Sequence, residues 1–243
     1  MAARVVVMIV DKRQGRYLLF LDILGFSKLV EDKGTEEIKS VINHALEAFN
    51  YWESVNERFQ TIYFSDSFIF YQNQKGYANA YFLDVYAIGK MILSALLAKG
   101  IPARGAIAFG EFEVDNSGKH QVYFGRALIE ACRAEKKENW IGITILKSAW
   151  FPYEEQDPGN IAAFERERVW IKRNDEVLLL NPFGQLCSLH FDYLVGEITT
   201  LYMEWNVPMF SNDILGFKFL REKSDEYSKI SDFSGKIATK YRW

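Results

Sequence analysis

Five consecutive apolar residues, Tyr17-Leu18-Leu19-Phe20-Leu21, run directly into Asp22. Successive side chains of a strand point to opposite faces, so an unbroken apolar run belongs to a central strand covered on both sides. Gly25 then breaks the run, and Ser27 is placed to cap a helix through Lys28 and Val30. A strand end followed by a tight turn and a helix presents an acidic side chain and several free backbone N–H groups at one point. Such a point can hold a metal and cradle phosphates. The pentapeptide Asp-Ile-Leu-Gly-Phe recurs at 213–217, but no strand precedes it there. Asn212 or Asp213 would cap a helix, and the second copy reads as its first turns.

The rest of the chain sorts by periodicity. Thr35 to Arg58 keeps Ile38, Val41, Ile42, Ala45, Leu46 and Phe49 at helical spacing behind Glu36 and Glu37. Gln60 to Tyr71 reads as strand-turn-strand around Ser65-Asp66-Ser67. Ala78 to Lys99 is an apolar helix closed by Gly100 and Pro102. Ala103 to Phe109 is a strand, and Asp115-Asn116-Ser117-Gly118 a polar hairpin tip. Gly125 opens a helix over Arg126 to Lys136, and Ile141 to Leu146 is a short strand. Pro152 to Asn160 reads as loop, Val169 to Leu180 as a hairpin with a charged tip, and Gln185–Trp205 and Asn212–Tyr241 as helices. The fold class is α+β: a mostly antiparallel sheet with helices segregated to one face. The expected divisions are a leader or strand over 1–16, a core domain over 17–150, and a C-terminal extension over 151–243 packed on it.

Composition excludes several classes. A net charge of −3 offers no basic field for nucleic acid. Cys132 and Cys187 are too few for a disulfide framework and lack CxxC spacing, which suits a reducing cytoplasm. His44, His120 and His190 are scattered and make no zinc site. The apolar run Val5–Val10 is stopped by Asp11-Lys12-Arg13, too short for a membrane span, and nothing else approaches one.

Asp66 sits at the tip between two apolar strands. A tip beside the end of the first strand would bring Asp22 and Asp66 together, and two carboxylates that close repel unless a cation neutralises them. Hard oxygen ligands favour magnesium or manganese. The pattern around these two residues resembles the catalytic domain of class III nucleotidyl cyclases. Asp22-Ile23-Leu24-Gly25-Phe26-Ser27 is similar to that family's turn, and Asp66 follows 44 positions later, at its usual spacing. Arg104 and Gly110 in "RGAIAFG" match a strand end of the family, and Gly125 and Arg133 in "GRALIEACR" match a helix start.

The resemblance covers residues 17 to 146 and implies a chemistry. Asp22, Asp66 and the Ile23 carbonyl would hold two divalent cations, Mg2+ or Mn2+. Backbone N–H groups of Leu24, Gly25, Phe26 and Ser27 would hold phosphate oxygens. Arg133 would stabilise charge on the α-phosphoryl group of a nucleoside triphosphate, reaching it from the opposite protomer of a homodimer. Arg104 is a secondary candidate, equally suited to a structural ion pair.

The resemblance breaks at the base. Where purine cyclases carry two polar base-reading side chains and an asparagine, this chain has Ile62, Val122 and Ile129. Those departures, with "FLDILGFSKLV" and "FSDSFIF", resemble bacterial pyrimidine cyclases of the Pycsar anti-phage system, and by that likeness UTP is favoured over CTP. Such enzymes signal through a cyclic nucleotide to a separate effector protein. Arg58, Phe59, Tyr63 and Tyr123 are further base-pocket candidates. A purine cyclase with an unusual pocket and an inactive nucleotide-binding module are the alternatives.

Overall fold

A computed structural model describes residues 14–55, 57–98, 101, 103–137, 142–156, 158–159, 170–172 and 177–180. In chain order the elements are β1 (Gly15–Ile23), α1 (Phe26–Asp32), α2 (Thr35–Val55), β2 (Phe59–Phe64), β3 (Ser67–Gln72), α3 (Asn79–Ala98), β4 (Ala103–Glu111), β5 (Glu113–Asp115), β6 (Val122–Phe124), α4 (Arg126–Lys137), β7 (Gly142–Ile145), α5 (Lys147–Gln156), β8 (Trp170–Lys172) and β9 (Leu178–Leu180). Residues 1–13 of the expected leader, the second Asp-Ile-Leu-Gly-Phe and the two C-terminal helices expected from the sequence lie outside the described residues, and β1 takes in Gly15 and Arg16 from the leader's end.

Seven strands form one sheet in the order β2-β3-β1-β4-β7-β9-β8, and β5 pairs with β6 in a separate ribbon. Every pairing is antiparallel except β4 with β7. The apolar run of β1 sits between β3 and β4, as a doubly covered strand requires. Tyr17, Leu19, Leu21 and Ile23 face a core built with α1, α2, α3 and α5, including Leu29, Phe49, Tyr86 and Tyr153. Leu18 faces the other way, with Tyr71, Ala106 and Ala108, against Ala127 and Ala131 of α4. Each large apolar side chain buried in this way contributes roughly 1.5–3 kcal/mol.

Three expectations change. The helices are not confined to one face: α4 covers the side opposite α2 and α3, because the even positions of β1 are apolar too. Ser27 does not cap α1; the N-cap is Gly25 at φ 72°, with no side-chain cap. A glycine there makes a turn too tight for a side chain, and it leaves Ser27 inside the first helical turn. The stretch from Pro152 is not loop at once, since α5 runs through Pro152 to Gln156. Burial of Ala149, Trp150 and Tyr153 holds this helix, with the Tyr153 ring 4.8 Å from Phe82. That packing outweighs the ~3 kcal/mol a helix-interior proline costs.

Gly125 sets where α4 begins. Its φ is +150°, and a Cβ there would lie 2.3 Å from the Glu111 carbonyl oxygen. Gly125→Ala should therefore lower stability by ~2 kcal/mol or more, read as a lower Tm. An unchanged Tm would count against this close approach.

Candidate functional site

Asp22 shares the even face of β1 with Leu18 and Phe20, the face covered by α4. Its neighbours across the two ladders are Ser67 of β3 and Arg104 of β4. Directly opposed residues share a face, so a hydroxyl and a guanidinium flank the carboxylate. The Ser67 hydroxyl donates to Asp22 Oδ1 at 2.9 Å and lies 3.5 Å from Asp66 Oδ1.

Asp66 is brought here by a two-residue tip. Phe64 pairs with Ser67, leaving Ser65 and Asp66 as the loop. Ser65 takes φ 57°, and its carbonyl accepts from the Tyr63 hydroxyl. The Ile23 N–H donates to the Asp66 carbonyl at 2.9 Å, pinning the tip to the end of β1. The first bond of α1 runs from the Leu29 N–H to the Gly25 carbonyl. The amides of Phe26, Ser27 and Lys28 thus have no partner within their own helix.

Burial pushes the Asp22 carboxyl up to about 6 against the opposing effect of the Ser67 hydrogen bond. The Asp66 and Glu135 carboxylates raise it further, and the Arg104 guanidinium pulls it down. This is a carboxylate whose charge is poorly compensated, the situation a divalent cation relieves. Among the described residues no group of three or more His, Cys, Asp or Glu side chains gathers. Two carboxylates with the remaining positions left to backbone oxygen, water or phosphate is the donor set that suits magnesium or manganese rather than zinc.

Arg133 does not join this group within the chain. On α4 the buried positions Ala127, Ala131 and Glu135 recur every four residues and face the sheet. Arg133 is two residues from both Ala131 and Glu135, about 200° around the axis, and is exposed. Arg104 is an ion-pair partner: its Nε donates to Glu135 Oε1 at 2.6 Å, and Nη2 pairs with the same oxygen.

The base-pocket candidates divide. Ile62 lies against the core on the α4 face, and Val122 is 49% exposed on β6. Tyr123 packs edge-on to Tyr71, ring centroids 6.1 Å apart. Tyr63 follows Ile62 in the strand and so takes the opposite face, 4.8 Å from Phe68. Phe59 is wholly buried in the core, and Arg58 bonds to Asp84 at 2.9 Å. Both stand at the end of β2 remote from the Asp66 tip, which removes them as base contacts.

Two site residues, Ser67 and Glu135, escaped the sequence reading. Ser67 is legible only once the β1–β3 register is known. Glu135 had a signal: it continues the Ala127–Ala131 spacing, which places a carboxylate on an otherwise apolar stripe.

With this geometry in view, solved structures give the comparison. The chain matches the monomeric guanylyl cyclase domain of the RhoGC fusion protein from the aquatic fungus Blastocladiella emersonii at TM-score 0.51 and 12% identity, over 73% of this chain and 99% of that one. It matches the guanylyl cyclase Cya2 at TM-score 0.50 and 17% identity, over 71% of this chain and 93% of that one. The fold is that of the class III cyclase catalytic domain. No family model and no curated protein sequence matches the chain. None of the described helices is long and apolar enough to cross a membrane.

The raised Asp22 carboxyl has a sign that can be tested. A folded-state value of about 6 against 3.8 means that the charged form opposes folding, increasingly as pH rises from 3.8 through 6. In metal-free protein at pH 7, Asp22→Asn should raise Tm. The gain should be about 2–4 °C, the equivalent of ~1 kcal/mol after discounting for solvent screening of a half-buried group. It should vanish by pH 3.8, the ordinary value of the group. Mn2+ should raise the wild-type Tm and leave the variant unmoved; equal responses in both would place the cation elsewhere.

Proposed function

We propose that this chain is a nucleotidyl cyclase that converts a pyrimidine nucleoside triphosphate, UTP in preference to CTP, to a 3′,5′-cyclic nucleotide and pyrophosphate. The observation that carries the reaction is the joining of Asp22 and Asp66 at the end of β1 by Ser67 and the Ile23 amide, on a class III cyclase fold.

Asp22 and Asp66, with the Ile23 carbonyl, would hold two divalent cations. Bound there, the cations would supply the activation of the ribose 3′-hydroxyl and the neutralisation of the triphosphate. The chain's own groups do the rest. The unpartnered first amides of α1, with Leu24 and Gly25, would bind phosphate oxygens, as helix starts do. The 3′-oxygen would form its bond to the α-phosphorus in line as the bond to pyrophosphate breaks. Arg133 would stabilise the charge on the α-phosphoryl oxygens, for which a guanidinium fork is suited.

Arg133 faces away from Asp22 in its own chain, so the reading requires a second copy. Val122, Phe124 and Ile129 leave 49%, 53% and 50% of their surface exposed on β6 and the adjoining α4, apolar surface that a second copy would cover. Each of two sites would then combine the aspartates of one protomer with the Arg133 of its partner.

The choice of base rests on Ile62, Val122 and Ile129. A site that reads a purine through hydrogen bonds loses its substrate when those groups are absent. Ile62 and Tyr123, which pack on the same side of the sheet, would instead offer an apolar, aromatic-edged wall to a smaller ring, while Val122 takes the other face of β6. The resemblance to Pycsar cyclases supplies the biological reading: a cytoplasmic anti-phage enzyme whose product activates a separate effector.

Incubation with ATP, GTP, CTP and UTP in turn, with Mn2+ and products resolved by mass, should yield one cyclic pyrimidine nucleotide. A cyclic purine would overturn the base assignment and keep the reaction. No product from any of the four, from folded dimeric protein, would favour a binding module. Asp66→Ala and Arg133→Ala should each be inactive and should recover up to about a quarter of wild-type activity when mixed, because one heterodimer site is intact. No recovery despite subunit exchange would overturn the shared site.

A further inference from the structure

Arg104 stands directly opposite Asp22 across the β1–β4 ladder, on the same face. A guanidinium in that position is the natural ion-pair partner of the carboxylate. It is engaged elsewhere. Nε and Nη2 both go to Oε1 of Glu135, whose side chain is 3% exposed. Asp22 Oδ1 takes its hydrogen bond from the neutral Ser67 hydroxyl instead.

The arrangement has a logic specific to a cation site. A carboxylate bonded to arginine has its charge already answered, and a metal ion must displace the guanidinium to bind. A carboxylate bonded to a hydroxyl keeps its charge for the metal. Glu135 reaches the site from α4, held at that height by Ala127 and Ala131 against the sheet. A buried carboxylate is costly unless paired, and Arg104 pairs it, so each member accounts for the burial of the other.

We infer that Glu135 is a positioning residue for the cation site: it holds Arg104 away from Asp22, and so keeps the Asp22 carboxylate open to a divalent metal. The inference rests on the assignment of Asp22 as a cation ligand. It concerns residues that do not themselves touch the metal. Its counterpart is a plain structural clip, in which Arg104 and Glu135 join β4 to α4 and nothing more.

The two roles differ in sign. With Glu135→Gln the guanidinium loses its charged partner and turns to Asp22. Mn2+ affinity, measured without nucleotide by the electron paramagnetic resonance of the free ion, should fall about 10–100-fold, the range for groups that tune metal ligands from behind. Arg104→Gln removes the competitor, and affinity should stay at the wild-type value or rise. The double variant Arg104→Gln/Glu135→Gln should bind Mn2+ within about threefold of wild type, well inside that loss. A clip predicts instead that both single variants lose affinity alike and that the double variant is no better than either.

Equal loss in the two single variants, or no loss in Glu135→Gln, overturns the inference. Should Glu135→Gln fail to fold, as judged by melting, the comparison of Arg104→Gln with wild type still decides: a loss of Mn2+ affinity there overturns it. Wild-type protein that binds no Mn2+, or binds it unchanged after Asp22→Asn, is a separate result, which removes the cation site and the inference with it.

Discussion

The register of β1 between β3 and β4 is the constraint on which everything else in this molecule depends. It sets Asp22 opposite Ser67 on one side and Arg104 on the other. It also decides which face each side chain takes. A slip of one residue would turn Asp22 toward the α2–α3 core and Leu19 and Leu21 toward α4 in its place. The apolar run alone would tolerate such a slip, since one apolar side chain replaces another on each face; the cost comes from driving the Asp22 carboxylate into the core. At Gly105 a Cβ would lie 2.4 Å from the Phe20 carbonyl oxygen, so the close approach of β4 to β1 holds the register as well. The site is therefore a consequence of strand packing: the carboxylate is aimed by the close approach of β4 to β1.

Much of this was legible in the sequence. The central strand, the Asp66 tip and the order of elements as far as β4 followed from apolar runs and from glycine and polar punctuation, while the break at Phe112 that sets β5 and β6 apart as their own ribbon did not. These are local signals with a direct physical cause. The side of the sheet taken by each helix was not legible, because a strand that is apolar on both faces does not say which helix covers which face. Pro152 misled for a related reason. Its cost is local and visible, whereas the burial of Trp150 and Tyr153 that offsets it is tertiary.

The candidate site divides along the same line. Asp22 and Gly25 announce themselves by breaking an apolar run, and Asp66 by sitting between two. Ser67 and Glu135 act only through partners distant in the sequence, and Arg104 has meaning only beside Glu135. Phe59 and Tyr63 are close to Ile62 in sequence, but strand alternation turns both to the opposite face of β2, where Phe59 is wholly buried. Charge arrangements that depend on three elements meeting cannot be read from any one of them.

The same dependence shapes how the chain must fold. β1 has no local partner: Leu18 waits for Tyr71, and Tyr17 waits for Phe109. Pairings so distant in sequence are slow to form. During synthesis from the N-terminus, a strand of unbroken apolar residues must therefore keep both edges unpaired until β3 has emerged, and one of them until β4 has. Such a segment is prone to pair with another copy of itself. The feature that makes β1 a central, buried strand of the finished protein also makes it an adhesive segment of the nascent one.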